Sequence, residues 1–355
     1  MTLKEKYIPA FFNYLPANQH NNILFCKSQI LNNIRLIAVC IIALVPLLTQ
    51  SQNKLIFTPH WIPQAQFAGY YVAQDQGFYN EAGLDVEIVH PSASVNALKF
   101  LKEGKSDIIS LFLISGLDAF QNGDELVNIA QISQHSAIMF VTKKSSGISS
   151  LEYFQGKKVG IWRSGFHEVP EAMLKSNGIE VEWIPILSTV NLFLLGGIDA
   201  MTVMWYNEFH QIYLSGLDMD ELYTFFMSDY GYNVPEDGLY ALKTTVENRK
   251  DDLSKFVQAT MKGWEYAAAN RKYTVDLVVK IMRDAKIPSN VAHQQWMLDK
   301  ILRVQSITNK EVRPTELLKS DYEKAVEIIE SLSGQPFRGT YEQFFIPVSP
   351  DLIIE

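Results

Sequence analysis

Aromatic rings recur in this sequence wherever an apolar run ends. Trp61 follows the run 55–57, Trp162 closes 156–162, and Trp205 and Tyr206 follow 199–204. A flat solute laid on such rings gains roughly 0.5 to 1.5 kcal/mol per ring beyond the area it buries. Polar groups stand close by: Gln66 lies just past Trp61, Glu208 follows Tyr206, and Asp237 sits in the PEDG stretch 235–238, while a further ring, Phe166, opens a helix after the turn 163–165. A carboxylate in such surroundings accepts hydrogen bonds from a ring amine. The candidate ligand-binding residues are therefore Trp61, Gln66, Trp162, Phe166, Tyr206, Glu208 and Asp237. Each also has a structural reading. Rings cap sheets, a glutamate at a helix start is favoured by the free N–H groups there, and an aspartate suits a turn. Trp205 and Tyr206 are adjacent and cannot easily both face one cleft.

Chemistry beyond binding finds little support. His60, His90, His135, His167, His210 and His293 show no HExxH spacing, and glycine-rich phosphate loops and GxSxG are absent. His167 beside Glu168 is a general-base candidate, but the pair reads rather as a solvated surface pair. The seven histidines read as structural. No enzyme activity, metal or cofactor is expected.

The elements that carry these residues alternate strand and helix. Around 60–88 an apolar strand breaks at Pro59 and Pro63, a helix follows with Ala68, Tyr71, Val72 and Asp75 on one side, and 84–89 alternates as a strand. Such a βαβ unit binds ligands beyond the carboxyl ends of its strands, where Trp61 stands. Further strands are expected at 107–110, 127–132, 137–142, 156–162, 181–186 and 199–204, with helices at 92–101, capped by Ser92 or Ser94, and at 114–122. From Thr245 onward the pattern is helical, over 254–270, 274–284, 289–304 and 316–332, the last packing back on lobe 1. Polar 143–147 suits a crossing between lobes, and 232–242 suits the return. The expected organisation is a leader at 1–51, lobe 1 at 52–142 and 239–355, and lobe 2 at 143–238.

At 355 residues and 47% hydrophobic, the chain is long enough for two α/β lobes with their own cores. Two discontinuous lobes joined by two crossings form a hinged clamshell. A net charge of -8 argues against nucleic acid or an anionic membrane surface as partner. Arg35 precedes the apolar run 36–48, of signal-peptide length, and Thr49 and Ser51 suit a cut after Ser51. Export to the periplasm is expected, with an uncleaved membrane anchor as the alternative. The only cysteines, Cys26 and Cys40, fall in this leader, which leaves the exported chain without disulfides.

Five stretches taken together resemble the NMT1/THI5-like periplasmic substrate-binding proteins: W-x-P-x-x-x-x-x-G-x-Y-x-A from Trp61, GFYNEAGLDVEI from Gly77, GKKVGIW from Gly156, GGIDAMTVMWYNE from Gly196 and EDGLY from Glu236. The resemblance implies the type II periplasmic-binding fold, a small-molecule ligand, and an ABC permease in the inner membrane that receives it from a monomer. It implies stacking and a carboxylate grip on a thiamine-pyrimidine precursor, at positions matched by Trp61, Tyr206 and Glu208. Gln64 stands where those binders carry asparagine, and Phe67 where they carry histidine, so the ligand can differ. The related pyrimidine-synthesising enzymes use a lysine and a histidine that align with Leu111 and Ser115, and a cysteine-rich run that aligns with the cysteine-free 232–236. A ligand-sensing lobe for a signalling receptor fits the same features as a transporter's binding protein does.

Overall fold

Among the described residues, short runs rich in β-branched and aromatic residues supply ten strands in two sheets. The computed structural model describes residues 53–91, 96–162, 166–187, 189–307, 312–349 and 351. The expected leader with its cysteines, the Ser92 and Ser94 caps and the turn 163–165 lie outside the described residues. Among the described residues no helix is long and apolar enough to cross a membrane.

The first sheet contains β1 (Asn53–Thr58), β2 (Leu84–Ile88), β3 (Ile108–Phe112) and β4 (Leu126–Gln131). The second contains β5 (Ile138–Lys143), β6 (Lys158–Trp162), β7 (Glu182–Ile186), β8 (Ala200–Met204) and β9 (Leu222–Phe226), and β10 (Asp237–Leu242) returns to the first. Their orders are β2-β1-β3-β10-β4 and β7-β6-β8-β5-β9. In each sheet the early strands pair in parallel, β1 with β2 and β3, β6 with β7 and β8. One strand that has just crossed over inserts antiparallel, β10 between β3 and β4 and β5 between β8 and β9. Helices pack against both sheets, and the α/β class with a helical C-terminal region is as expected from the pattern.

Two boundaries differ from the expectation. β5 pairs with β8 and β9, so the chain changes sheets over 132–137 rather than 143–147. All but one of its residues are buried, which suits either sheet equally and hides the switch from a local reading. The stretch around Asp237 is no turn: Asp237 opens β10 opposite Phe112. β9, Leu222–Phe226, has no counterpart among the expected strands.

Two of the C-terminal helices bridge the lobes. Lys319–Ser333 packs on Leu113–Gln121 of the first lobe, as expected, and also on Glu168–Ser176 of the second. Val291–Gln305 lies against Ala65–Phe67 on one side and Glu208–Leu214 on the other. Lys243–Ala269, interrupted at Arg249 by non-helical backbone, packs against Ala68–Asp75. That approach depends on glycine: a Cβ on Gly263 would lie 2.2 Å from the Gly69 carbonyl oxygen, and one on Gly69 would lie 2.2 Å from Trp264.

Candidate functional site

The loop after β1 carries the first wall of the site. Its backbone turns into the cleft at His60, whose N–H donates to Ser110 Oγ at 3.0 Å, and His60 Nδ1 meets the same oxygen at 2.8 Å. The imidazole is wedged edge-on between Phe67 and Phe112, at centroid distances of 5.3 and 4.7 Å. Burial drives its pKa down to about 3. The 3.7 Å separation of His60 Nε2 from Asp237 Oδ1 is therefore not an ion pair at neutral pH.

Gln66 organises the floor. Gln64 Nε2 donates to Gln66 Oε1 at 2.7 Å, which fixes the amide so that Gln66 Nε2 points at Asp237, 3.0 Å from Oδ2 and 3.2 Å from Oδ1. His60 Nε2 lies 3.3 Å from the same nitrogen. With Gln66 Nε2 as the donor, His60 Nε2 holds a lone pair and Nδ1 carries the proton toward Ser110. Asp237 is buried, and burial lifts its pKa to about 7 against the help of Gln66. Glu236, its neighbour, is lifted to about 8, first by burial and also by the Asp237 charge. Glu236 faces away from the floor and holds the crossings instead. Its Oε1 accepts from Ser136 Oγ at 2.7 Å and from Ala137 N at 2.9 Å, which pins the returning crossing to the outgoing one.

The second lobe supplies rings and a third acid. Trp162 donates Nε1–H to the Thr202 carbonyl at 3.1 Å, and its ring lies 6.2 Å from Phe166. Phe166 meets Phe112 of the first lobe edge-on at 5.7 Å, so a line of rings crosses the cleft. Tyr206 is buried, and its hydroxyl is pushed well above the usual range by burial first and then by the charges of Asp237, Glu236 and Glu208. Glu208 is buried and lifted to about 7 by that burial. Its oxygens each hold a local donor, Met204 N at 2.9 Å on Oε2 and Asn207 Nδ2 at 2.8 Å on Oε1. Its own backbone N–H is a further donor, so this carboxylate is well supplied.

Of the candidates, the structure joins Gln66 to Asp237 and Trp162 to Phe166, and it buries Tyr206 where the charges of the acids act on its hydroxyl. Trp61 stays at the rim, 41% exposed, its carbonyl accepting from His90 Nδ1 at 2.6 Å. Trp205 faces the other way, under Lys300 Nζ at 4.8 Å, while Tyr206 turns inward. His167 and Glu168, 3.4 Å apart, are not fully solvated: the facing atoms Nδ1 and Oε2 are buried without a hydrogen bond. A recess of about 290 Å³ beside them is lined by Ile161, His167, Glu171, Trp183 and Pro185, all from the second lobe. Among the described residues no cluster of three or more His, Cys, Asp or Glu could hold a metal. Sequence reasoning misses His60, Ser110 and Glu236. Only for His60 is a signal present, its place beside Trp61 at the end of β1.

A description of NMT1/THI5 like proteins matches residues 64–272, more than half of the chain. The chain belongs to that family. A Haemophilus influenzae protein named for thiamine biosynthesis is 27% identical over 227 residues, covering 62% of this chain and 71% of that protein. A formylaminopyrimidine-binding protein of Halalkalibacterium halodurans is 22% identical over 268 residues, covering 71% and 79%. A Saccharomyces cerevisiae 4-amino-5-hydroxymethyl-2-methylpyrimidine phosphate synthase is 27% identical over 111 residues, 31% of this chain and 33% of the synthase. Among solved structures, the periplasmic aliphatic sulphonate binding protein SsuA of Escherichia coli superposes with a TM-score of 0.63 at 15% identity, covering 80% of this chain and 93% of that one. Family and fold together support a solute-binding role.

Proposed function

We propose that the chain is an exported solute-binding protein of an ABC importer, a monomer that closes its two lobes over a flat nitrogenous heteroaromatic solute and passes it to a permease in the inner membrane. A pyrimidine precursor of thiamine is the favoured solute. The observation that carries this reading is Asp237. It is a buried carboxyl with a single side-chain amide donor, set in a ring-walled cleft whose other acid, Glu208, is already engaged. A buried carboxylate so poorly supplied with donors is costly alone and suited to a guest bearing N–H groups. The relatives named for pyrimidine binding and thiamine biosynthesis support the same solute class.

The partial match to the yeast synthase raises a catalytic reading. That chemistry needs an amine at position 111 and an imidazole at 115, where this chain has Leu111 and Ser115. Small shifts cannot supply a missing nucleophile. Binding without turnover is therefore the reading we adopt.

A thermal-shift panel of pyrimidines, thiamine, sulfonates and amino acids tests it. A solute at about 100 times its Kd stabilises the fold by about 2.7 kcal/mol. Stabilisation by an aminopyrimidine is expected. Stabilisation by a sulfonate or an amino acid and by no heteroaromatic would overturn the ligand class.

A further inference from the structure

We infer that the helix Val291–Gln305 is a clasp between the lobes, and that acid releases its hold on the second lobe at the His210–His293 pair. The inference rests on the lobe closure proposed above, but not on the identity of the solute.

The helix grips both rims of the cleft. Toward the first lobe, Gln294 is buried and its Oε1 accepts from Ala65 N at 2.8 Å, one residue before the Gln66 that orients Asp237. Toward the second, Trp296 Nε1 donates to the Trp205 carbonyl at 2.9 Å, one residue before Tyr206. The His210 ring lies parallel to both others, its centroid 5.2 Å from that of His293 and 4.7 Å from that of Trp296. Neither lobe can swing away without sliding or breaking one of these contacts.

The hydrogen bonds of the pair assign its protons. Asn207 Oδ1 accepts from Gln211 Nε2 at 2.9 Å and lies 3.2 Å from His293 Nε2, so Nε2 of His293 carries a proton. His293 Nδ1 is then the lone pair, and His210 Nδ1, 3.0 Å away, is the donor to it. A second proton on His293 sets two N–H groups face to face and adds positive charge.

The surroundings give that charge no relief. His210 also faces the Tyr213 ring at 5.8 Å, and Lys300 lies within reach, its Nζ 4.2 Å from the Trp296 ring centroid. Asp299 already serves Lys300 at 2.9 Å, Arg271 at 2.8 Å and Arg303 at 3.4 Å. Glu208 is tied to Met204 N and Asn207 Nδ2. Burial and the His210 neighbour hold His293 down at about 4, and burial with the Lys300 charge holds His210 below its ordinary range. For a base lowered in this way the clasp is intact above the ordinary 6.5 and weakens as pH falls from there toward about 4. Each pH unit in that window costs up to about tenfold in the clasped population for each proton taken up.

Hydrogen–deuterium exchange of the full chain, without ligand and corrected for the intrinsic rate at each pH, tests the clasp. Amides in 208–214 and 291–305 are expected to lose about tenfold in protection between pH 7.5 and 5.5. In His293→Gln the loss is expected to shrink to the part that His210 alone supplies, and His210→Gln provides the same test should the first variant fold poorly. Protection that does not change with pH in the unmodified chain, or an equal loss in the variants, would overturn the inference. Because no solute is added, a failed ligand panel would leave this result standing, and the reverse also holds.

Discussion

Replacing Asp237 with asparagine removes a charge that the fold holds out of water, and the stability change follows from the structure. Burial carries this carboxyl from the ordinary 3.8 to about 7. An acid raised in the folded state binds its proton there while the unfolded chain has lost it, so the native protein is penalised progressively as pH rises from about 4 to 7. At about 1.4 kcal/mol per pH unit the penalty reaches at most about 4 kcal/mol by pH 8. The variant escapes it but weakens the Gln66 contact, which costs about 1 to 2 kcal/mol. Asp237→Asn is thus expected to be slightly less stable than the parent near pH 4 and about 2 kcal/mol more stable at pH 8. Relief of Glu236, which the Asp237 charge also pushes up, acts in the same direction. Urea denaturation of both chains at pH 4.5, 6 and 8 measures the difference, and most other titrating groups cancel in the comparison. A stability difference that stays constant with pH, or moves the opposite way, would refute the assignment of Asp237 as a buried, under-supplied acid.

Three other substitutions have expected outcomes. Trp61→Ala should leave stability within about 0.5 kcal/mol, because the ring is 41% exposed, yet weaken solute binding several-fold; denaturation and calorimetric titration separate the two effects. Gly263→Ala should cost about 3 kcal/mol, since its Cβ would press on the Gly69 carbonyl oxygen at 2.2 Å, and a lowered melting temperature measures it. Trp296→Phe should loosen 208–214 at every pH, by removing the Nε1 bond to the Trp205 carbonyl, while keeping the acid response of the histidine pair; hydrogen exchange reads both.

What can be read from the residues is local. Trp162 and Tyr206 fall at strand ends as expected, because an apolar run followed by a turn is visible in a few neighbouring residues. The two-sheet α/β class follows from the same alternation. Asp237 reads as a turn residue because Pro-Glu-Asp-Gly favours turns. Its real place is set by Phe112, more than a hundred residues earlier, which holds β10 in the sheet. His60 reads as structural because its partner Ser110 is 50 residues away and its contacts with Gln66 and Asp237 exist only after folding. Glu208 illustrates the reverse case. The backbone explanation offered by its position near a helix start holds, since its carboxylate takes its own backbone N–H in the first turn as well as Met204 N at the end of β8. The crossing at 143–147 is misplaced because β5 is almost wholly buried and its inward face carries no mark of which sheet it joins.

The most direct test of the cleft is calorimetric titration of the unmodified chain and of Asp237→Asn with formylaminopyrimidine. One solute per chain is expected to bind the unmodified protein, and the variant is expected to bind at least about tenfold more weakly, the loss of one hydrogen bond to a charged acceptor. Equal affinity in the two chains, or no binding to the unmodified protein while a sulfonate binds, would contradict the account.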